Sequence, residues 1–336
     1  MKLRAVLMAG LVSALAAGVM LWRLADHDLD RRVSEPFGVT VSDDQLSGTI
    51  WLPDDTVIAV VAIVHGDGAQ DRTMAGGYAP MINVLLDRGI AVASWDKPGV
   101  GSSDGNWLLQ SMSDRTDETR SVLQFLEERF EGAAIGALGF SQAGWVLPSL
   151  TNADADFLIL IGAAVSWQDQ GEYFTRVRLR REGLGEQEID TALAEQDLED
   201  DRAFGRKATA DDAPVGMSPE RWRFVRQNRG VDSRQALSSL GLPLLALWGA
   251  EDLNVDPTRN AAIFEEMLGR KDSATRITIL PDATHGLLKA SVYNCQLSED
   301  WSYYAVARYL LEGRYAFAPG ALDTISDWVK DFAESR

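Results

Sequence analysis

The sequence predicts an α/β fold: a doubly wound, mostly parallel sheet with a helical cap insertion. Three observations carry this expectation. Short apolar runs alternate with helical patterns along most of the 336 residues, and strands that alternate with helices build a parallel sheet covered on both faces. The run at 58–64 is continuously apolar and β-branched, the pattern of a strand buried on both sides. The alternation stops after Val165 and resumes at Leu242, and the block between is charged and helix-favouring, with no convincing strand.

Taken in order, 39–41 and 49–53 read as short strands around a turn at 43–48. The buried strand at 58–64 follows, then a helix over 78–88 that Gly89 stops. Next come a strand at 90–94 and a helix at 114–129 with Val122, Phe125 and Leu126 on its apolar face. A strand at 133–140, a helix at 142–150 and a strand at 157–161 continue the alternation. Within the charged block, 176–181 and 186–200 favour helix. Beyond it, a strand at 242–248, a helix at 258–268, a strand at 276–280 and a closing helix at 321–332 complete the pattern. The expected core is therefore 39–166 with 241–336, and 167–240 is a cap inserted into it rather than a second domain behind it.

Apolar residues make up 46% of the chain and charged residues 24%, which excludes disorder, collagen and coiled coil as descriptions of the whole. With 50 acidic against 32 basic residues, the net charge is −18, so a nucleic acid partner is not expected. The single cysteine, Cys295, excludes an internal disulfide and multi-cysteine zinc. No phosphate-binding loop or dinucleotide glycine pattern occurs, and no cofactor is expected.

Lys2 and Arg4 precede an uncharged run at 5–22, which Arg23 closes. Eighteen residues at about 1.5 Å each span roughly 27 Å, near the thickness of a bilayer's hydrocarbon core. Residues 1–25 therefore read as a signal anchor or a signal peptide, the latter with a small-x-small site at Ala14-Leu15-Ala16. This places the protein at a membrane through 5–22, or exported to the far side. Residues 26–38 read as a polar linker, with His27 solvated in it.

Gly139-Phe140-Ser141-Gln142-Ala143 stands between an expected strand and an expected helix. A serine on so sharp a turn needs small residues two positions to either side, and the turn projects its hydroxyl out of the sheet. Ser141 is thus a candidate nucleophile, the alternative being a structural turn serine. A serine hydroxyl needs a base within reach, and the chain has three histidines. In the chain order serine, acid, histidine, only His285 qualifies. The segment His65-Gly66-Asp67-Gly68 suits a different role. Its backbone can turn amides toward a developing oxyanion, with Asp67 and Gln142 supplying the N–H groups and His65, Gly66 and Gly68 supporting the loop. The acid belongs after the penultimate strand, where Glu251, Asp252 and Asp256 are available. Asp252, four residues beyond Trp248, is the expected acid, and Asp256, before Pro257, is the expected helix cap.

These residues resemble the α/β-hydrolase superfamily, in particular its bacterial serine esterase and acyl-thioesterase-like branch with a His-Gly-x-Gly-x-Gln-Asp-Arg loop. Here that loop is His65-Gly66-Asp67-Gly68-Ala69-Gln70-Asp71-Arg72. Leu46-Ser-Gly48-Thr49-Ile-Trp-Leu-Pro53, Asp96-Lys97-Pro98-Gly99-Val-Gly101-Ser-Ser103 and Pro148 match further motifs of that branch, and Gly249, Asp252 and Val255 match its acid loop. The chain departs at Phe140, where a histidine often stands, and at Pro98, which replaces a usual arginine. The resemblance implies the hydrolase fold, a cap at 167–240 and serine-hydrolase chemistry on a small-molecule acyl ester or thioester. A peptidase or amidase of the same fold and a catalytically inert binding module are the alternatives. An aspartate nucleophile, as haloalkane or epoxide hydrolysis would want, is absent at position 141. Neither the oligomeric state nor the acyl length is legible.

Overall fold

Eight strands form one sheet in the order β1-β2-β4-β3-β5-β6-β7-β8 in the computed structural model, which describes residues 18–20, 23–269 and 274–336. The strands are β1 (Ser34–Val41), β2 (Asp44–Trp51), β3 (Ala59–Val64), β4 (Ile90–Trp95), β5 (Ala134–Phe140), β6 (Phe157–Ile161), β7 (Leu244–Gly249) and β8 (Arg276–Leu280). The pairs β1–β2 and β2–β4 are antiparallel and all others are parallel. The helices interleaved with them are α1 (Ala79–Asp87), α2 (Met112–Arg129), α3 (Trp167–Arg181), α4 (Glu186–Phe204), α5 (Pro219–Asn228), α6 (Arg234–Ser239), α7 (Pro257–Leu268), α8 (Ala290–Tyr293), α9 (Tyr303–Glu312) and α10 (Ala321–Glu334).

All six residues of β3 are buried, because each face of the sheet carries its own apolar layer. Val60, Ala62 and Val64 pack with Val122 and Leu126 of α2 and Phe264 of α7. Val61 and Ile63 pack with Ile82 and Leu85 of α1 and Ile325 and Val329 of α10. The chain leaves β3 for β4 on one side and then crosses to β5 on the other. That reversal opens a crevice beyond the carboxyl ends of β3 and β5, the usual place for a site in such a sheet. Helices α3 to α6 occupy the interval between β6 and β7 and carry small apolar clusters of their own, with Leu179, Ile189 and Leu193 in one and Phe204 and Trp222 in another.

Several expectations need correction. The turn expected at 43–48 is a tight hairpin at Ser42 and Asp43, since Val41 already pairs with Asp44 and Ser42 takes a positive φ of 55°. Gly48 is not a turn glycine but a packing one inside β2, where a Cβ would stand 2.2 Å from the Phe37 ring and 2.8 Å from the Ser94 carbonyl. The helix expected at 142–150 is instead two short 3₁₀ turns, Ser141–Trp145 and Leu147–Ser149; Pro148 has no N–H to extend a longer ladder. Residues 26–38 are not a free linker. Buried Asp26 receives the Arg314 guanidinium, buried Arg32 donates to Asn83 Oδ1 at 2.7 Å, and β1 begins at Ser34. His27 is not solvated either: its ring meets Tyr309 edge-on at 5.1 Å, and burial lowers its pKa. Two helices, α8 and α9, form within 281–320, where the sequence pattern predicts none. Of the apolar run at 5–22, all but Gly18–Met20 lies outside the described residues, among which no helix is long and apolar enough to cross a membrane.

Candidate active site

β3 and β5 run side by side, with Val64 opposite Gly139, so the segments leaving their carboxyl ends meet. Ser141 follows β5 with a φ of 50°, a left-handed backbone that costs a serine on the order of 1 kcal/mol or more and that the surroundings must hold. Gly139 is the small residue this turn requires: a Cβ there would lie 2.5 Å from the Ala143 Cβ and 2.8 Å from Leu147. Gly144 is fixed similarly against Ala163 and the Ala164 carbonyl. A Cβ on Gly66 would stand 3.5 Å from the Ser141 Cβ, which puts the loop after β3 directly beside the serine.

Asp252 lies three residues beyond β7 and is buried. One carboxylate oxygen accepts the backbone N–H groups of Asn254 and Val255 at 2.7 and 2.9 Å, and the other is 2.8 Å from His285 Nδ1. A carboxylate can only accept, so Nδ1 carries the proton and Nε2 is left as an acceptor. Burial works against protonation of His285, but the charge of Asp252 and its hydrogen bond outweigh it and raise the pKa above the ordinary 6.5. The ring rests on Gly162, where a Cβ would come 2.8 Å from Nδ1. Gly162 follows Ile161, the register partner of Phe140, so His285 sits against the residue level with Ser141. Glu251 and Asp256 are used elsewhere. The Glu251 carboxylate accepts the Ala283 N–H at 3.0 Å, holding the histidine loop, and Asp256 caps α7 by accepting the Arg259 N–H at 2.9 Å.

His65 is turned away from proton transfer. Its Nε2 lies 2.6 Å from the Trp95 carbonyl and its Nδ1 3.2 Å from the Tyr78 hydroxyl. Full burial, only partly offset by the Trp95 carbonyl, pushes its pKa down to about 3. Neutral, it donates to Trp95 and accepts from Tyr78. The loop it opens is held by its carbonyls. Arg115 donates to the His65 carbonyl at 2.7 Å, and Lys97 to those of Gly66 and Gly68 at 2.6 and 2.9 Å. In a trans peptide the C=O and N–H point opposite ways. Holding the Gly66 carbonyl on the Lys97 side therefore turns the Asp67 N–H to the other side. Gln142, whose N–H is among the first of the 3₁₀ turn, has its side chain held by Arg115 at 2.5 Å and by Asp67 at 3.1 Å.

The remaining motif residues lie behind this loop and brace it. Arg72 forms a two-pronged pair with Asp96 through Nε and Nη2 at 3.0 and 2.6 Å, donates from Nη2 to Ser47 as well, and reaches Thr49 through Nη1. Asp96 also accepts the Ser102 N–H at 2.9 Å. Phe140 stacks on Tyr78 at 5.1 Å, filling the wall next to His65. Cap helices reach both parts of the site: Tyr173 of α3 donates to the Asp252 carbonyl at 2.7 Å, and Arg221 of α5 pairs with Asp67 at 3.2 Å.

Sequence reasoning missed Arg115, Tyr78, Tyr173, Arg221 and Gly162. Arg115 had a signal: it lies on the same helical stripe as Val122 and Leu126, where a charged residue needs a buried partner. For the others, spacing along the chain carries none, since their partners are distant in sequence.

The sheet order, the strained serine turn and the buried aspartate–histidine pair define the class: an α/β-hydrolase. More particularly, the chain belongs to the serine aminopeptidase, S33, family, which it matches over residues 55–290. Solved structures similar to it share the fold at low identity. An esterase of Pyrococcus furiosus has a TM-score of 0.57 at 15% identity over 90% of this chain and 92% of its own. A proline iminopeptidase of Mycobacterium smegmatis has 0.57 at 14%, over 90% and 99%. The Est1E protein of Butyrivibrio proteoclasticus, solved with ferulic acid, has 0.52 at 15%, over 89% and 98%.

Proposed function

We propose that the protein is a serine hydrolase that cleaves a small carboxylic ester or thioester through an acyl-enzyme on Ser141, with His285 and Asp252 completing the triad. The observation that carries this reading is the 2.8 Å contact between His285 Nδ1 and buried Asp252, seated on Gly162 level with the strained Ser141. His285 Nε2 takes the Ser141 proton as Oγ attacks the acyl carbon, and the imidazolium that forms is stabilised by Asp252. The tetrahedral oxyanion is met by the N–H groups of Asp67 and Gln142, whose orientation Lys97, Arg115 and the trans geometry of the peptides maintain; one such donor contributes about 3 kcal/mol of transition-state stabilisation. His285 then returns the proton to the leaving alcohol or thiol. Water, activated by the same base, releases the acid and frees Ser141.

Esterase activity among the similar folds supports this choice of substrate class, as does the bacterial-esterase form of the loop at 65–72. An amide reading is favoured by a different feature. The cap holds a cavity of about 430 Å³ whose wall includes Asp169, Glu172, Asp197, Asp200 and Asp201 beside Trp167 and Arg229. Asp169 pairs with Arg234 and Arg259, and Asp201 with Arg229. The wall still holds more carboxylates than guanidinium groups, and Trp167 stacks on Trp145 of the serine turn at 5.2 Å. Such a wall would attract a substrate amine, as a serine aminopeptidase requires. One experiment addresses both. A fluorophosphonate probe should label the wild type and leave Ser141→Ala unlabelled, and turnover should be compared across p-nitrophenyl esters of graded length, acyl-thioesters and aminoacyl amides. Faster aminoacyl amide turnover than ester turnover would transfer the reading to the peptidase; equal labelling of Ser141→Ala would remove the nucleophile.

A further inference from the structure

Helix α9 wears its apolar side outward. Tyr303 and Tyr304 are 96% and 70% exposed, and Val306, Leu310 and Leu311 are about two-fifths exposed. Positions 303, 306, 307, 310 and 311 fall three and four apart, the spacing of a single stripe. A helix that merely covers a core turns such a stripe inward. Here the inward side is already supplied by Ala305, which is buried, and by Tyr309, which meets Trp301 and Tyr293 edge-on and donates its hydroxyl to the Gly77 carbonyl at 2.7 Å. The border of the stripe carries paired charges, Arg308 with Glu312 at 2.6 Å. A contiguous exposed stripe of this kind on a monomer marks an interaction surface.

Its neighbour in space identifies the partner. The uncharged run at 5–22 ends at Arg23, and the Arg23 guanidinium lies 4.0 Å from the centre of the Tyr315 ring, just past the end of α9. Arg23 also reaches the carbonyl of Glu312, the last residue of α9. A run of bilayer length therefore joins the folded domain at the foot of this exposed stripe, and a membrane that held the run would lie against it. Tyrosines beside leucines are the composition of a helix resting in the headgroup layer.

We infer that the outward face of α9 is a lipid-contacting surface, laid on the bilayer into which residues 5–22 insert. With a net charge of −18, the contact is made with zwitterionic lipid by apolar burial rather than by attraction to anionic headgroups. The test uses the full chain in a Cys295→Ser background, with an environment-sensitive nitrobenzoxadiazole label on Tyr304→Cys and, separately, on Leu310→Cys. Glu131→Cys, before β5 and so at the amino edge of the sheet, serves as control. The proteins are reconstituted into phosphatidylcholine vesicles with and without lipid carrying a shallow nitroxide. Quenching at 304 and 310 should exceed that at 131 at least twofold. Equal quenching at the three sites overturns the inference. So does a label at 304 that is shielded without being quenched by lipid, the outcome expected if a second copy or the chain's own amino-terminal segment covers α9. Failure of the full chain to float with the vesicles overturns it too. Thermal midpoints matching the unlabelled chain verify that both α9 variants are folded. The serine-hydrolase reading is untouched by any of these results, because fluorophosphonate labelling of Ser141 reports on it separately.

Discussion

Asp252 uses its two oxygens differently: one accepts two backbone N–H groups and so fixes the loop, while the other faces His285. Asp252→Asn keeps the first function with its single oxygen and so presents an N–H₂ donor to Nδ1, which favours the wrong tautomer. Turnover is expected to fall about 10⁴-fold with little change in thermal midpoint. Asp256→Asn should do the reverse, leaving turnover near wild type and costing at most about 1 kcal/mol as an altered cap. Kinetics and thermal denaturation of the two variants check both. The protonation of the histidines gives a second expectation at this scale. On the proposed mechanism His285 must be neutral to accept the serine proton, and its pKa is raised above 6.5 by Asp252, so the acid limb of the turnover profile should fall above pH 6.5 and activity should be lost as pH drops through it. The same shift favours the folded state below 6.5, and that contribution disappears as pH rises through the folded pKa. His65 has the opposite sign. An unfolded chain protonates it near 6.5, but the fold resists this until about 3, so stability should decline as pH falls from 6.5 toward 3. Thermal midpoints against pH should show less of that decline in His65→Gln.

At the scale of elements, the cap is fastened to both halves of the site. Helix α3 holds the acid loop through Tyr173 and through Gln170, which donates to the Asn254 carbonyl at 3.1 Å. Helix α5 holds the loop after β3, the proposed oxyanion loop, through Arg221 and Asp67, whose side chains are about a third and about half exposed. An exposed pair of this kind contributes at most about 1 kcal/mol, which is about fivefold in rate if it acts on the position of the Asp67 N–H. Arg221→Gln should therefore lower kcat by up to about fivefold with the thermal midpoint nearly unchanged, and Arg221→Lys should recover part of it. An unchanged kcat in Arg221→Gln would mean that α5 and the oxyanion loop are positioned independently.

Over the whole molecule, the segment before β1 locks the sheet's antiparallel edge to α1 and to the chain's final third. Arg32 reaches Asn83, Asp54 and Asp87, Asn83 donates in turn to the Asp26 carbonyl at 2.9 Å, and Asp26 receives Arg314. Replacing Arg32 with methionine removes the closest donor to the buried Asn83 Oδ1, which keeps only Arg31 at 3.1 Å, and the loss of this charge-assisted hydrogen bond should cost about 1.5–3 kcal/mol. Urea denaturation of Arg32→Met should show a lower midpoint at unchanged m-value. A shift below about 0.5 kcal/mol, the usual range of surface substitutions, would mean that the segment adds little.

The parallel sheet and the place of the cap were legible because burial on both faces writes continuous apolar runs such as 59–64, and because a strand-free block of about seventy residues has no place inside a sheet. The sharp turn at Ser141 was legible for a local reason as well, since such a turn demands small neighbours at fixed offsets. His285 stood out as a candidate because three histidines leave few choices for a base, as did the three carboxylates of the loop after β7. Hydrogen bonding between residues far apart in the chain leaves no such mark. The separation of Asp252 from Glu251 and Asp256 by what each carboxylate holds, the neutral state of His65, the Arg115 and Lys97 grip on the loop after β3 and the docking of residues 26–38 were decided by tertiary contacts. Gly48 and Gly162 show the difference within one residue type. Both are glycines in the sequence, but only the folded chain, with Phe37 against one and the His285 ring against the other, gives the reason that each must be so.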